Sequence, residues 1–280
     1  MIIGLAAPLP AYTIDPAFMA AKAETLGFDS IWYAEHPAVP VDSASPFPST
    51  GGAIPWQYSH FDEPYIALAR ASAVTQTILL ATGITLVPQR HPLLLAKVIA
   101  SLDHHSGGRF LFGVGTGWLR EEVELMGGNF RMRWTQTREY IEAMKALWTN
   151  DAAEYHGRFI DFPPLRVYPK PARKPHPPVI IGGMAPKVLE RIVACADGWL
   201  PNRVTPAQVE AARRELDSRA LEAGRDPASI SISIFGQEPD RAAARAFLDA
   251  GADRVVVRPR HVETQAEMER QLEDIAAQMF

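Results

Sequence analysis

The segment spanning residues 84–127 constrains the fold of this chain more than any other. It contains an apolar run that breaks at Pro88, a helix-like segment that begins at Pro92, and the pair Gly107-Gly108, which ends that helix. A second apolar run, residues 109–114, then opens into a glycine-rich loop. The order strand, loop, helix, turn and strand predicts one right-handed βαβ unit, and such units build parallel sheets flanked by helices.

The same alternation of short apolar runs and amphipathic segments continues along the whole chain. Strands are predicted at residues 2–7, 30–34, 78–86, 109–114, 179–181, 198–200, 229–235 and 254–257. Helices are predicted at residues 16–26, 64–75, 92–105, 135–148, 186–196, 206–223, 241–250 and 266–279. Eight strands, each followed by a helix, favour an α/β fold of the (β/α)8 TIM-barrel type over a doubly wound open sheet. A length of 280 residues is normal for one such barrel, so we expect a single domain spanning residues 1–280.

Two segments interrupt this alternation. Residues 37–61 are rich in proline, serine and glycine, and residues 155–176 interleave aromatic and polar residues with prolines. Both segments are predicted to be insertions above the C-terminal mouth of the barrel, either as substrate lids or as irregular surface. In barrels of this type the chemistry gathers at that end.

The composition excludes several classes of function. With a net charge of −4 and no basic stripe, the chain is not expected to bind nucleic acid. No apolar run reaches membrane-spanning length and the opening residues resemble a buried strand rather than a signal peptide, so we expect a soluble, cytoplasmic protein without a membrane partner. The single cysteine, Cys195, is predicted to be a core residue, and no cluster of side chains has the spacing of a metal site.

The pair Glu35-His36 follows the second predicted strand. A histidine at the C-terminal end of a barrel strand suits proton transfer, because its ordinary pKa lies near neutrality. The residue types alone leave a second interpretation open, that of a loop histidine held by hydrogen bonds. In the third strand Gly83 follows Thr82, which indicates either a close approach of a ligand to the backbone or a plain irregularity of the strand.

Two glycine-rich loops are further candidates. The loop of residues 113–117 does not match the dinucleotide fingerprint, because its third glycine comes too early and the strand before it is the fourth. Its glycines do leave room for a flat ring or for backbone amides aimed at an anion, with Trp118 either packed on such a ring or part of the rim. Residues 182–186 lead from a strand into a helix, whose N-terminal amides favour a phosphate group.

Taken in order, these motifs resemble the luciferase-like monooxygenases, and most closely the branch of that family that uses the deazaflavin coenzyme F420. The resemblance extends over nearly the whole chain and rests on Ile3-Gly4-Leu5, residues 26–32, Glu35-His36, Ser101-Leu102-Asp103, residues 106–109 and Asp197-Gly198-Trp199. It implies a (β/α)8 barrel, usually a homodimer, that binds a flavin or deazaflavin across the C-terminal mouth.

The resemblance also implies roles for individual residues. Gly83-Ile84 corresponds to a non-proline cis peptide whose bulge supports the back of the cofactor ring. His36 corresponds to a histidine implicated in catalysis; we expect Glu35 to orient it or the ring, and Trp118 to pack beside the substrate. The expected cofactor contacts are Thr82, Gly83, Ile84, Gly115, Thr116, Gly117, Glu121, Gly182, Gly183, Met184, Pro186 and Asn202.

The chain departs from known members of the family at two positions. Trp118 stands where the F420-dependent sugar-phosphate dehydrogenases have a glutamate, so that Glu121 or Glu122, one turn later, is a candidate substitute for the missing acid. Thr116 stands where luciferases have a phosphate-binding arginine. These departures argue against sugar-phosphate dehydrogenation and remove one contact that luciferases make to FMN.

The resemblance leaves three activities open. The first is hydride transfer between F420 and an unidentified organic substrate. The second is an FMN-dependent two-component monooxygenase, which uses O₂ and reduced flavin; either enzyme is expected to draw on a separate flavin or F420 reductase. The third is a barrel that binds flavin or deazaflavin without turnover. A deazaflavin has carbon at ring position 5 and reacts poorly with oxygen, so oxygen consumption separates the first two.

Overall fold

Parallel strands close into a barrel in the computed structural model, which describes residues 1–280. The strands are β1 Ile3–Ala6, β2 Ser30–Tyr33, β3 Leu79–Thr82, β4 Thr85–Leu86, β5 Phe110–Gly115, β6 Ala153–His156, β7 Asp161–Leu165, β8 Val179–Gly182, β9 Gly198–Leu200, β10 Ser231–Gln237 and β11 Arg254–Val257. The barrel follows the order β3-β2-β1-β11-β10-β9-β8-β5 and closes where β5 pairs with β3, while β4 continues β3 along β5. Counting β3 and β4 as one strand, the barrel has eight, and the predicted (β/α)8 fold is confirmed.

Helices return the chain from each strand to the next. They are α1 Pro16–Thr25, α2 Pro64–Val74, α3 Pro92–His105, α4 Arg120–Leu125, α5 Arg133–Thr149, α6 Val188–Cys195, α7 Pro206–Glu222, α8 Arg241–Asp249 and α9 Gln265–Met279. Local sequence explains where several begin: Asp15 caps α1 ahead of Pro16, and Thr205 forms a capping box with Gln208 at the start of α7. The short helix α4 was not predicted, and it contributes to the site described below.

The barrel strands are buried on both faces, as parallel strands usually are. A cluster of 56 buried apolar residues lies mostly between the strands and the surrounding helices. A smaller cluster fills the interior of the barrel, with one residue from each of seven strands: Ala6, Trp32, Ala81, Leu111, Ile180, Leu200 and Val256. Because side chains plug the barrel, any ligand must bind at one of its ends.

The two insertions lie at opposite ends of the barrel. Residues 37–61 follow β2 and cover the mouth, as predicted. Residues 155–176 contain the antiparallel hairpin of β6 and β7, and the prediction that they also overlie the mouth is wrong. They follow the C-terminal end of α5, where the helices have already returned the chain to the N-terminal ends of the strands. Contacts to the last turns of α3 and α5 place them there: the Arg173 amide donates to Asp103 Oδ2 at 2.9 Å, and Lys170 Nζ donates to the Leu147 carbonyl at 2.7 Å.

Two further properties bear on the possible partners of the chain. None of its helices combines the length and apolar character that crossing a membrane requires. No group of three or more histidine, cysteine or carboxylate side chains is arranged so that it could hold a metal ion. The cysteine Cys195 is half-buried and free, and its sulfur faces the Arg191 carbonyl oxygen.

Candidate active site

The imidazole of His36 lies at the C-terminal end of β2, and only 7% of its side chain is exposed. Its Nδ1 atom is 2.8 Å from Glu122 Oε2. Aromatic rings surround the rest of it, with the centroids of Tyr58 and Phe61 each 5.3 Å away and that of Trp118 5.7 Å away. The histidine is therefore held at one edge by a carboxylate and screened from water by aromatic walls.

Glu122 is fully buried in the first turn of α4 and has three hydrogen-bond partners. Besides His36 Nδ1, its oxygens accept from the Ala38 amide and from Gln89 Nε2, each at 3.2 Å. An ionised carboxylate only accepts hydrogen bonds, so opposite such a carboxylate Nδ1 is the donor, and an imidazole that is neutral in this tautomer has Nε2 as its acceptor. The sequence suggested Glu122 only as a substitute acid; its contact with His36 joins residues 86 positions apart and left no local signal.

Glu35 was expected to orient His36 or the ring, and the part of this prediction that concerns His36 is wrong, because adjacent side chains of an extended segment point in opposite directions. The Glu35 carboxylate instead accepts from the Leu86 amide at 2.9 Å and from Arg90 Nε at 2.6 Å, and Arg90 also pairs with Glu63. Burial raises the pKa of Glu35, and the charge of Arg90 opposes that rise. This ion-pair network ties the end of β2 to β4 and α2, behind the wall of the mouth.

Glu121 was predicted to contact the cofactor, but its carboxylate is hydrogen-bonded to the loop of residues 37–61. One of its carboxylate oxygens accepts from the amides of Ala44 and Ser45, at 2.8 and 3.1 Å, and the other accepts from the Ser45 hydroxyl at 2.7 Å. The Ser45 hydroxyl and these amides lower the pKa of Glu121 to about 2. Glu121 therefore anchors the loop of residues 37–61 to α4 through both of its carboxylate oxygens.

The Gly83-Ile84 peptide is cis, which confirms the bond implied by the resemblance. It separates β3 from β4, and the Ile84 side chain lies between two glycines of neighbouring strands. A Cβ at Gly115 would stand 1.9 Å from Ile84 Cδ1, and one at Gly182 would stand 2.9 Å from Ile84 Cγ2. These glycines therefore leave the space that Ile84 occupies, and the three residues pack together as a floor at the mouth.

Gly83 itself has an equally confined environment. A Cβ at this position would lie 2.7 Å from the ring of Phe235 and 3.2 Å from that of Trp32, so only glycine fits. The neighbouring Thr82 is fully buried and donates its hydroxyl to the Gly113 carbonyl at 2.8 Å. Thr82 was predicted to contact the cofactor; its hydroxyl instead links β3 to β5.

The other predicted cofactor residues come together on one side of the mouth. They lie at the ends of β5, β8 and β9, which are neighbours in the barrel. Thr116 and Gly117 are half-buried after β5, and Gly183 has a φ of +95° in the turn that leads toward α6. Met184, Pro186 and Asn202 are exposed at the rim. Helix α6 begins two residues after Pro186, so its free amides face this side.

This arrangement fits a flat ring that continues into a phosphate-bearing chain. The Ile84 side chain, seated against Gly115 and Gly182, offers the ring an apolar surface. His36 Nε2 has no hydrogen-bond partner within the protein, so it is available to a substrate or to a cofactor. On the opposite side of the floor, the turn at Gly183 and the start of α6 offer backbone amides to an anion.

Comparisons with known proteins identify one family over almost the entire chain. The model of the luciferase-like monooxygenase family matches residues 15–278. The uncharacterized protein Rv0953c of Mycobacterium tuberculosis is 42% identical over 200 residues, which cover 70% of each chain. The FMNH2-dependent dimethylsulfone monooxygenase of Pseudomonas putida is 28% identical over 146 residues, covering 51% of this chain and 39% of its own.

Two solved structures share the fold. The monooxygenase RslO1 from Streptomyces bottropensis has a TM-score of 0.75 and 22% identity, covering 100% of this chain and 98% of its own. The coenzyme F420-dependent tetrahydromethanopterin reductase from Methanopyrus kandleri has a TM-score of 0.75 and 19% identity, covering 99% of this chain and 97% of its own. The proteins similar to this chain therefore include both F420-dependent and FMN-dependent enzymes.

Proposed function

The chain belongs to the luciferase-like monooxygenase family, and on that premise we propose that it is an oxidoreductase that transfers a hydride between coenzyme F420 and an organic substrate. One observation carries the proposal: His36, backed by a buried carboxylate, presents an unpaired Nε2 at a mouth that also contains the cis peptide Gly83-Ile84. A proton-transfer group and a floor within one barrel mouth suit a reaction in which a bound ring exchanges a hydride while the protein manages the proton.

Each part of the site has a task in this reaction. Bound F420 supplies a donor or acceptor of hydride at ring position C5. His36 takes up or releases the substrate proton at Nε2, and Glu122 holds the imidazole in the tautomer that leaves Nε2 free. Tyr58, Phe61 and Trp118 exclude water from the histidine and form an apolar wall for the substrate. The floor at Ile84 supports the ring.

The phosphate-bearing side chain of the bound cofactor would extend from the floor toward the ends of β5 and β8. Thr116 and Gly117 line one side of this path, and Gly182, Gly183, Met184 and Pro186 line the other. Asn202, at the end of β9, closes the rim beyond them. None of these residues is charged, which leaves the charge of a phosphate to backbone amides and to basic residues farther out.

The test is a titration of the apo-protein with F420 and, separately, with FMN, followed by fluorescence. Saturable binding of F420 with weak or no binding of FMN supports the proposal. Preference for FMN contradicts it and favours the two-component monooxygenase, for which the similarity to the FMNH2-dependent enzyme of Pseudomonas putida is the supporting observation. In that case the protein consumes oxygen when supplied with a flavin reductase.

We further propose that the protein is a homodimer. Helices α2 and α3 expose large apolar side chains to solvent, with Ile66 62% exposed, Val74 49% and Leu94 66%. An apolar cavity of about 840 Å³ lies along the same face and includes Ala69, Ala73 and Val98 among its lining residues. Exposed apolar patches of this kind mark association surfaces in soluble proteins. Light scattering that gave a monomer mass at micromolar concentration would contradict this assignment.

A further inference from the structure

Three arginines converge outside the path assigned to the cofactor chain. Arg120 begins α4, directly after the loop that follows β5; Arg133 begins α5; and Arg191 lies one turn into α6, behind the turn at Gly183. Because β5 and β8 are neighbours, their following loops bring these helix starts together at one sector of the rim. Burial, together with the charges of Arg120 and Arg191, lowers the pKa of Arg133.

Aromatic rings fix the positions of the guanidinium groups. Arg133 and Arg120 both lie over the ring of Phe130, with Cζ 4.0 and 4.9 Å from its centroid, and Arg191 lies 4.2 Å from the centroid of Trp134. Stacking of this kind holds a guanidinium through its face and leaves the N–H groups at its edge free to bond. Stacking therefore fixes the positions of the three positive charges without neutralising them.

No carboxylate neutralises these arginines. None of the three has an aspartate or glutamate oxygen within 4.0 Å, although most other arginines of the chain that lie on helices are paired. The nearest acidic neighbour of Arg191 is Glu190, which acts on it only through space. Arg133 donates one bond, from Nη1 to the Phe130 carbonyl at 2.7 Å, and its buried Nε has no partner.

A cavity adjoins this cluster. It has a volume of about 590 Å³ and is lined by Arg120, Glu124, Gly128, Asn129, Phe130 and Arg131. Phe130 is the one large apolar side chain in its lining, so the cavity suits a polar chain rather than an apolar ring. The overall charge of the protein is −4, so this concentration of unpaired cations does not follow from a basic composition.

We propose that Arg120, Arg133 and Arg191 form a subsite for a ligand chain that carries several negative charges, and that this chain is the phosphodiester and γ-linked glutamate tail of F420. Arg133 and Arg191 are half-buried and Arg120 is exposed, and like charges held together in this way are stabilised when an anion binds among them. A single terminal phosphate, as in FMN, offers these guanidinium groups fewer negative charges than such a tail. A tail with several carboxylates matches three guanidinium groups spread from α4 to α6. The inference rests on the proposed function, because it assumes that the ring of F420 occupies the mouth.

The experiment compares two deazaflavins, F420 and its precursor that ends at the ribityl group and lacks the phosphate and glutamates. Dissociation constants are measured by fluorescence for the wild type and for the double variant Arg133→Gln/Arg191→Gln. The variant is expected to bind F420 at least about 10-fold more weakly, since charge-assisted hydrogen bonds are the strong ones. Its affinity for the tail-free precursor should equal that of the wild type. Added salt should weaken the binding of F420 to the wild type more than to the variant.

The matched control is Arg245→Gln, which removes an exposed, ion-paired arginine on α8 far from the mouth. It should leave both dissociation constants unchanged, and circular dichroism should show that every variant is folded. Equal affinity of the double variant and the wild type for F420 would overturn the subsite, as would an equal loss of affinity for both deazaflavins. If the wild type bound the tail-free precursor as tightly as F420, the subsite alone would be wrong. If it bound neither, the proposed function would be wrong as well.

Discussion

His36 Nδ1 lies 2.8 Å from Oε2 of Glu122, a residue 86 positions later in the chain. The contact joins the end of β2 to the first turn of α4. It fixes the orientation of the His36 imidazole within its aromatic pocket. Because Glu122 is fully buried and also accepts from Ala38 and Gln89, its own position is determined by three donors. The direction in which His36 presents its free nitrogen follows from this network.

Replacing His36 with alanine should lower turnover by about 10²-fold or more, the usual effect of losing an acid or base group. Affinity for F420 should change little, because the imidazole belongs neither to the floor at Ile84 nor to the residues that line the path of the cofactor's phosphate-bearing part. Stopped-flow turnover and a fluorescence titration measure the two quantities. His91→Ala, which removes an exposed histidine at the start of α3, is the matched control. Near-normal turnover in His36→Ala would rule out the proton-transfer role.

Replacing Glu122 with glutamine should change the tautomer of His36. The amide keeps the shape of the carboxylate, but it replaces one acceptor oxygen with an NH2 donor, which cannot accept from the groups that now donate to Glu122. The hydrogen-bond network must therefore rearrange. Turnover should fall by about 10²-fold with little change in F420 affinity. The ¹⁵N chemical shifts of the imidazole report the tautomer directly, without substrate. An unchanged tautomer together with reduced turnover would show that Glu122 acts by some other means.

Replacing Gly113 with alanine should destabilise the barrel by about 3 kcal/mol or more, at the upper end of the cost of overpacking. A Cβ at this position would stand 1.8 Å from the Thr82 carbonyl oxygen, which belongs to the backbone of a central strand. Gly52→Ala is the control, since the nearest atom to its Cβ is 3.5 Å away. Urea unfolding measures both. Equal stability of the two variants would show that β3 and β5 separate more easily than this structure indicates.

Lowering the pH should release the loop of residues 37–61 by protonating Glu121. The pKa of Glu121 is about 2 in the folded protein, below the ordinary value of about 4.3, so its stabilising contribution is complete above about pH 4.3. That contribution is lost as the pH falls toward 2. The protection of the Ala44 and Ser45 amides from hydrogen exchange, relative to their intrinsic exchange rates at each pH, should fall over this range, and Glu121→Gln should show low protection already at neutral pH.

The control for this prediction is Glu124→Gln, which removes an exposed carboxylate from the same helix. It should leave the exchange of Ala44 and Ser45 unchanged. If Glu121→Gln also left these amides protected, the loop would be held by its aromatic contacts alone, such as that between Phe47 and Trp118, whose ring centroids are 5.7 Å apart.

The sequence alone determined the order and nearly the full extent of the barrel strands and helices. Apolar runs, capping residues such as Asp15 and Thr205, and the helix-ending pair Gly107-Gly108 act within a few residues, so the chain displays them locally. The family resemblance added the cis peptide at Gly83-Ile84, which has no signal beyond a glycine in mid-strand.

Only the tertiary structure decided which polar groups meet. Glu35 and His36 are adjacent in sequence yet face different partners, Arg90 and Glu122, because successive side chains of an extended segment point to opposite sides. Helix α5 returns the chain to the far end of the barrel and takes residues 155–176 away from the mouth. Side-chain pairing depends on closure of the barrel, which brings together strands that lie far apart in the chain, and no local pattern records that closure.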